Sequence, residues 1–403
     1  MTQSKPTSRK TVQSVFPKPI YLGAATRTPI GKFGGTLARL SASDLATHTL
    51  KECRTRAVGV ENVDLVIMGH ARQAGCGPNV ARQATIFSGL PDTVPAITVN
   101  QACASGMIAL FTALEKIALG RATSIFAGGV ESMSNTPYLL PRVRWGQRLG
   151  HGEVLDGMWK DGFYCPMSQM VMGETVERFL VPEFKVTRKE QDEYALQSQQ
   201  RAETAWSTGL FTPETFEIPG DAKNPPLRED EHRRGNTTFE SLQKLPAVFD
   251  RNNGTVTAGN SSGITDGSAF LHVTDQKMSH AQVEVLDYES VALDPRRMGL
   301  GPVPATLNIL KRNGLTVSDL ESVELNEAFA AQVIACQREL KIPNEKLNPR
   351  GGSIALGHPI GATGARITVT LINQLKDKPG ALGVATLCVS GGHGAAILLR
   401  GVC

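Results

Sequence analysis

Two thiols, an imidazole and a carboxamide occupy positions from which acyl chemistry could be run. Cys103 lies in Val99-Asn-Gln-Ala-Cys103-Ala-Ser-Gly106, where a strand turns into a helix among small residues. A cysteine at a helix N-terminus faces unpaired amides and the positive end of the dipole, which favours thiolate. Ala102, Ala104 and Gly106 leave room for a substrate backbone. A buried cysteine at a tight helix–sheet contact would read the same way. His358 stands in the glycine-dense run 351–364, as a general base or a satisfied turn residue. Cys388 ends an apolar strand and leads into Val-Ser-Gly-Gly. Asn326 and Glu327 follow another strand, where they could simply cap a helix.

Together the four loops say more. In α/β sheets ligands gather beyond the carboxyl ends of parallel strands, and Cys103, Asn326 and Cys388 each follow an apolar strand. Two cysteines and a histidine at one centre would supply a nucleophile, its base and a second proton carrier.

The elements that must position them alternate. Residues 20–24, 65–68, 96–99 and 124–127 read as short strands, the last running into Gly128-Gly129. Residues 43–57 and 105–119 read as helices, the latter with Ile108, Leu110, Phe111, Leu114 and Ile117 at helical spacing. Such alternation implies βαβ units. The second half repeats the first: Val60–Met68 resembles Val317–Leu325, Ala104-Ser-Gly106 matches Ala362-Thr-Gly364, and each later strand meets a glycine pair. Between the copies, about residues 133–260 hold all three Trp, many Pro and Gly, and a helix near 188–208. Long excursions of this kind are commonly binding loops or lids.

Composition sets outer limits. With 403 residues, 41% hydrophobic, 20% charged and 40 Gly, the chain can build a large core, and no apolar stretch is long enough for a membrane span. Forty-two basic and 38 acidic residues give +4. Lys5, Arg9, Lys10 and Lys18 in the first 18 residues account for that surplus, so the rest is balanced. No nucleic-acid partner is expected. Residues 1–18 read as a disordered basic extension, although their acid-poor, Ser/Thr-rich composition leaves organellar targeting open. Seven cysteines without a CxxC pair suggest neither a disulfide framework nor a metal site, and a reducing, cytoplasmic compartment is the default.

These segments resemble the signatures of the thiolase family, in the family's order and from about residue 19 to 399. They are NQACASG around Cys103, GTVTAGNSSGITDG at 254–267, NEAFA at 326–330, GGSIALGHPIGATGAR at 351–366 and the cysteine turn at Cys388. The resemblance implies two pseudo-repeated α/β domains in a layered αβαβα core with an inserted loop domain. Residues 19–132 plus 261–284 would form the first domain, 133–260 the loop domain and 285–403 the second domain. It implies reversible acyl transfer between acyl-CoA and acetyl-CoA, or thiolysis of a 3-ketoacyl-CoA, with coenzyme A thioesters as substrates and no further cofactor. Cys103 would carry the acyl group, His358 accept its proton and Cys388 move the α-proton. His358 and a water on Asn326 would form one oxyanion hole, the amides of Cys103 and Ser390 the other. Arg234, Ser241 and Ser262 would contact CoA, and Met172, Phe249 and Phe329 would line the pantetheine and acyl pocket. A homodimer or homotetramer is implied.

Three positions depart from the family's usual pattern. Ser390 stands where Gly is usual, which matters only if that residue needs positive φ. His393 replaces Gln or Met. Val171 stands where acetoacetyl-specific members have His, which favours broader chain-length use. A ketoacyl synthase would carry His or Asn in place of Cys388, and a catalytically silent CoA-binding relative need not keep all four polar residues.

Overall fold

Strand residues in this chain alternate between two buried layers, and that alternation builds the molecule. The computed structural model describes residues 12–402. Nine strands form the body of one sheet: β1 (Ile20–Arg27), β2 (Leu65–His70), β3 (Ala96–Val99), β4 (Ser124–Ser132), β5 (Thr265–Thr274), β6 (Ala281–Ala292), β7 (Leu320–Leu325), β8 (Leu382–Val389) and β9 (His393–Gly401). Their order is β7-β8-β9-β6-β1-β5-β4-β2-β3, with the two-residue strand Gly31–Lys32 added against β5. Read outward from the β1–β6 pair, both halves repeat: β1-β5-β4-β2 on one side, β6-β9-β8-β7 on the other. β2 runs parallel to β3 and β4, and β7 parallel to β8.

The helices fill three layers. Outside the first half lie α1 (Ala42–Arg56) and α2 (Val80–Phe87); between the halves lie α3 (Ser105–Ala118) and α7 (Ile360–Leu375). The inserted region carries α4 (Arg188–Ser207), and α5 (Pro302–Arg312) and α6 (Ala330–Leu340) cover the second half. Ile125 and Ala127 of β4 enter the central layer while Phe126 and Val130 face α1 and α2. In β8, Ala385 and Leu387 enter the centre while Val384 and Cys388 face the outer layer. Strands buried on both faces read as continuous apolar runs, and each fully buried Leu, Ile or Val contributes roughly 1.5–3 kcal/mol. The result is the αβαβα layering.

Glycines decide how close the central helices come. A Cβ on Gly106 would stand 2.9 Å from Ala365 N, and one on Gly364 would stand 2.5 Å from Met107 N. A Cβ on Gly129 would lie 2.2 Å from Gly361 O. The two helix N-termini therefore meet backbone to backbone on β4, which brings the loops before them together. Gly128-Gly129 accordingly lies inside β4 instead of following it.

Two boundaries differ from the sequence expectation. The 284/285 division falls within β6, because that strand pairs with β9 along its length; the chain changes halves in the 275–280 turn. Residues 12–18 are ordered. Val12 is buried in the outer core, Val15 N–H donates to Leu286 O at 2.9 Å, and Phe16 stacks on Tyr288. Apolar contact along β6 outweighs the entropy of a short tail. Residues 1–11 of the expected extension lie outside the described residues. The excursion 133–260 adds no strand to the main sheet, and α4 in it begins with a Thr187–Glu190 capping box.

Candidate active site

The turn that presents Cys103 is strained and braced. Ala102 has φ +45°, in the left-handed region that costs a non-glycine residue roughly 1–2 kcal/mol. Asn100 Oδ1 accepts the Ala102 N–H at 2.9 Å, and Ser105 Oγ accepts that of Gln101 at 2.9 Å while donating to Ala102 O at 2.7 Å. The side chain after this elbow is lifted off the end of β3 towards the second half of the molecule.

Burial pushes the Cys103 thiol above its ordinary range, opposed first by the Ser390 backbone amide, then by Arg72 and by its own amide. The backbone amides of Ser390 and Cys103 both favour the thiolate form. Ser390 itself needs no positive φ, since Gly391 (+88°) and Gly392 (+83°) absorb the turn. The departure from glycine leaves the donor in place.

Cys388 is 2% exposed near the end of β8. Burial holds its thiol well above the usual value, and the neighbouring Cys103 and Cys336 push the same way. The turn 102–104 packs against β8, and the two sulfurs sense each other's charge.

His358 completes the centre with a defined tautomer. Thr363 Oγ1 donates to Pro359 O at 2.9 Å and therefore accepts from His358 Nδ1–H at 2.6 Å. Nε2 is left bare, buried and without a hydrogen-bond partner. Burial, then the cations of Arg366 and Arg72, lower this imidazole to about 3, so it is neutral at physiological pH. Asn326 is oriented in the same manner. Its Oδ1 accepts Ser353 Oγ–H at 2.6 Å, and Ser353 in turn accepts from Arg366 Nη2 at 2.8 Å. Asn326 Nδ2 remains a buried donor with no partner. Beside it, Glu327 is a brace: its carboxylate accepts from Tyr194, Ser198, Asn348 and the Ile354 amide.

A bare imidazole nitrogen, a free amide donor and two buried thiols are groups that acyl transfer can use. The N-terminal domain model of the thiolases matches residues 20–277 and the C-terminal domain model residues 279–401. The chain belongs to the thiolase family. It is an acyltransferase of that family. It is 44% identical over 386 residues to the acetyl-CoA acetyltransferase of Escherichia coli (strain K12), covering 94% of this chain and 98% of the relative. A probable acetyl-CoA acyltransferase of Staphylococcus aureus (strain MW2) is 43% identical over 392 residues, with 94% and 98% covered. Among solved structures, human mitochondrial 3-ketoacyl-CoA thiolase in complex with CoA superposes with TM-score 0.92 at 37% identity, covering 98% of this chain and all of that one. Bacillus anthracis acetyl-CoA acetyltransferase gives 0.91 at 40%, covering 97% and 100%.

In this thiolase-family chain the other expected contacts fall in two groups. Phe249 and Phe329 meet over Gly173, where a Cβ would lie 2.1 Å from Phe249 Cε2 and 3.0 Å from Phe329 Cε1, and Met172 adjoins them. Ser262 N–H donates to Ala328 O at 2.9 Å, beside the same phenyl ring. Arg234 and Ser241 line a separate cleft of about 260 Å³ with His232, Leu242 and Ile354. The Arg234 side chain is exposed, whereas Ser241 Oγ already donates to Thr238 O at 2.7 Å to cap a helical turn.

Sequence reasoning missed one cluster. Met158 and Phe163, from the stretch 142–165 expected as a lid that sets chain length, pack against Ala71, Met133 and Ile360, as Cys103 does. Arg72 joins them with its charge felt at both Cys103 and His358. No periodic signal marks these residues, because they come from loops and strand ends far apart in the chain.

Proposed function

We propose that this enzyme runs reversible Claisen chemistry through a Cys103 acyl-enzyme. Cys103 attacks the acyl-CoA thioester while His358 Nε2 takes its proton, and CoA leaves. Cys388 then removes a proton from the α-carbon of acetyl-CoA, and the carbanion attacks the Cys103 thioester carbonyl. In thiolysis Cys388 returns that proton to the departing acetyl-CoA, and CoA collects the shortened acyl chain. His358 Nε2 and a water on Asn326 Nδ2 hold the enolate oxygen; the Cys103 and Ser390 amides hold the tetrahedral oxyanion.

The observation that carries this reading is the buried, unpartnered Nε2 of His358 and Nδ2 of Asn326, together with backbone amides of Ser390 and Cys103 that favour the Cys103 thiolate. A buried acceptor and a buried donor left unpaired are costly unless a ligand uses them. Arg234 would meet the phosphates of CoA, Ser241 the adenine end and Ser262 the pantetheine, which passes Met172, Phe249 and Phe329. Val171 in place of histidine favours 3-ketoacyl chains longer than acetoacetyl, as in β-oxidation. The edge strand β3 with half-exposed Ile97, near exposed Phe87 of α2, would form a homodimer or homotetramer contact. Both working thiols need a reducing compartment such as the cytoplasm.

Mixing the enzyme with acetoacetyl-CoA and CoA, and following loss of the enolate absorbance, tests the reaction. A mass increase of one acetyl group on the Cys103 peptide should accompany it. CoA binding with no turnover on any chain length would overturn the reading.

A further inference from the structure

Arg72 is 6% exposed, and its Nε is buried without a hydrogen-bond partner. Among the described residues its guanidinium makes no ion pair. The nearest strand-end carboxylate, Glu131, is already committed: it accepts from the amides of Ala71, Arg72 and Gly361 and pairs with His70 at 3.2 Å. A buried arginine without a counter-charge is rare, because stripping water from an ion is expensive unless a partner replaces it. Compare Arg27, fully buried, which is held by Glu214 at 2.6 Å and Asp230 at 2.7 Å.

The place of this cation is informative. A Cβ on Gly162 would lie 2.4 Å from Arg72 Nη2, so the guanidinium rests against the backbone of the loop that supplies Met158 and Phe163. Ala71 is the preceding residue in the chain. Arg72 influences Cys103 and His358, yet donates to neither; the donors on the Cys103 sulfur are backbone amides. The cation therefore stands off from the nucleophile, on the wall of the apolar cluster around Cys103. Cys103 packs against that cluster, which sets it beside any acyl group the sulfur carries.

We infer that Arg72 makes the acyl pocket selective for acyl chains ending in a carboxylate, that is, mono-CoA thioesters of dicarboxylic acids and their 3-keto forms. This rests on the acyl-enzyme reading above. The carboxylate at the far end of the chain supplies the missing counter-charge in a forked pair, while its methylene spacer covers Met158 and Phe163. An uncharged acyl chain of the same length dehydrates the guanidinium and offers it nothing, so discrimination operates in both directions. A charge-assisted contact of this kind is worth roughly 10–100-fold in kcat/KM.

The test compares thiolysis of 3-oxoadipyl-CoA with that of 3-oxohexanoyl-CoA, which share a carbon chain and differ in the terminal carboxylate. Wild-type enzyme should favour the carboxylated substrate by ~10-fold or more. Arg72→Leu should reverse the ratio, and Arg72→Lys should restore part of it. Using the ratio within each variant removes any loss of folded protein. The inference is overturned if wild type favours 3-oxohexanoyl-CoA. It is also overturned if Arg72→Leu lowers both substrates equally while moving the pH profile of Cys103 alkylation upward, which would make Arg72 a guardian of the thiolate. Wild-type turnover of 3-ketoacyl-CoA substrates of every length is read separately: its complete absence sinks the acyl-enzyme mechanism, its presence with no carboxylate preference sinks only the role of Arg72.

Discussion

The two halves of this molecule share a strand order and diverge in what they put at its centre. In the first half, the end of β3 and the start of α3 give a single thiol on a strained turn. In the second, β7, β8 and the loop before α7 give an amide, a thiol and an imidazole, the amide and the imidazole each oriented by a neighbour. Their central helices differ as well: every residue of α7 is buried, whereas α3 exposes Glu115. A duplicated scaffold thus supplies symmetry of position, and the sequences at corresponding loop ends break it; on the proposed mechanism the nucleophile lies on one side and the proton carriers on the other.

Substitutions can separate those contributions. Cys103→Ala, removing all that the first half offers, should lower turnover by ~10⁴-fold or more and abolish the acetylated peptide in a mass spectrum. Changes in the second half should be smaller and distinct. Cys388→Ser should form acyl-enzyme at a normal rate in a single-turnover experiment but lose condensation and thiolysis by roughly 10²–10⁴-fold. Wild-type steady-state rates in Cys388→Ser would refute the division of labour. Asn326→Ala removes one unpaired donor and should cost roughly 10²–10³-fold in kcat; Ser353→Ala, which only frees the amide to rotate, should cost less.

The smallest effect concerns a pair that braces the frame. Burial alone would lower His70, but the neighbouring Cys76 and the Glu131 carboxylate raise it to about 9. A raised folded-state value means that the stabilisation is complete below the unfolded value of 6.5 and lost as pH rises through about 9. Thermal melts of the wild type should therefore fall between pH 6.5 and 9, on the order of 2–3 kcal/mol in stability, and His70→Gln should flatten that fall. His358, neutral down to about 3, should contribute no acid limb above that value to the kcat/KM profile.

The residues proposed for catalysis stand out in the linear chain because each sits in a short, chemically unusual loop. Glu327 was read only as a possible cap, since nothing local shows that Tyr194 and Ser198 of α4 would reach it. Arg72, Met158 and Phe163 were invisible for the same reason: they meet only after the inserted region folds back on β2.

Local chemistry alone determined the strands, the helices, the pairing of two α/β copies and the four polar groups proposed for the reaction, since period, turn residues and small-residue loops act over a few positions. Tertiary structure alone decided the protonation of His358, the direction of the Asn326 amide and the isolation of Arg72. Those depend on burial and on partners that lie far away in the chain and meet only when the two halves close around their central helices.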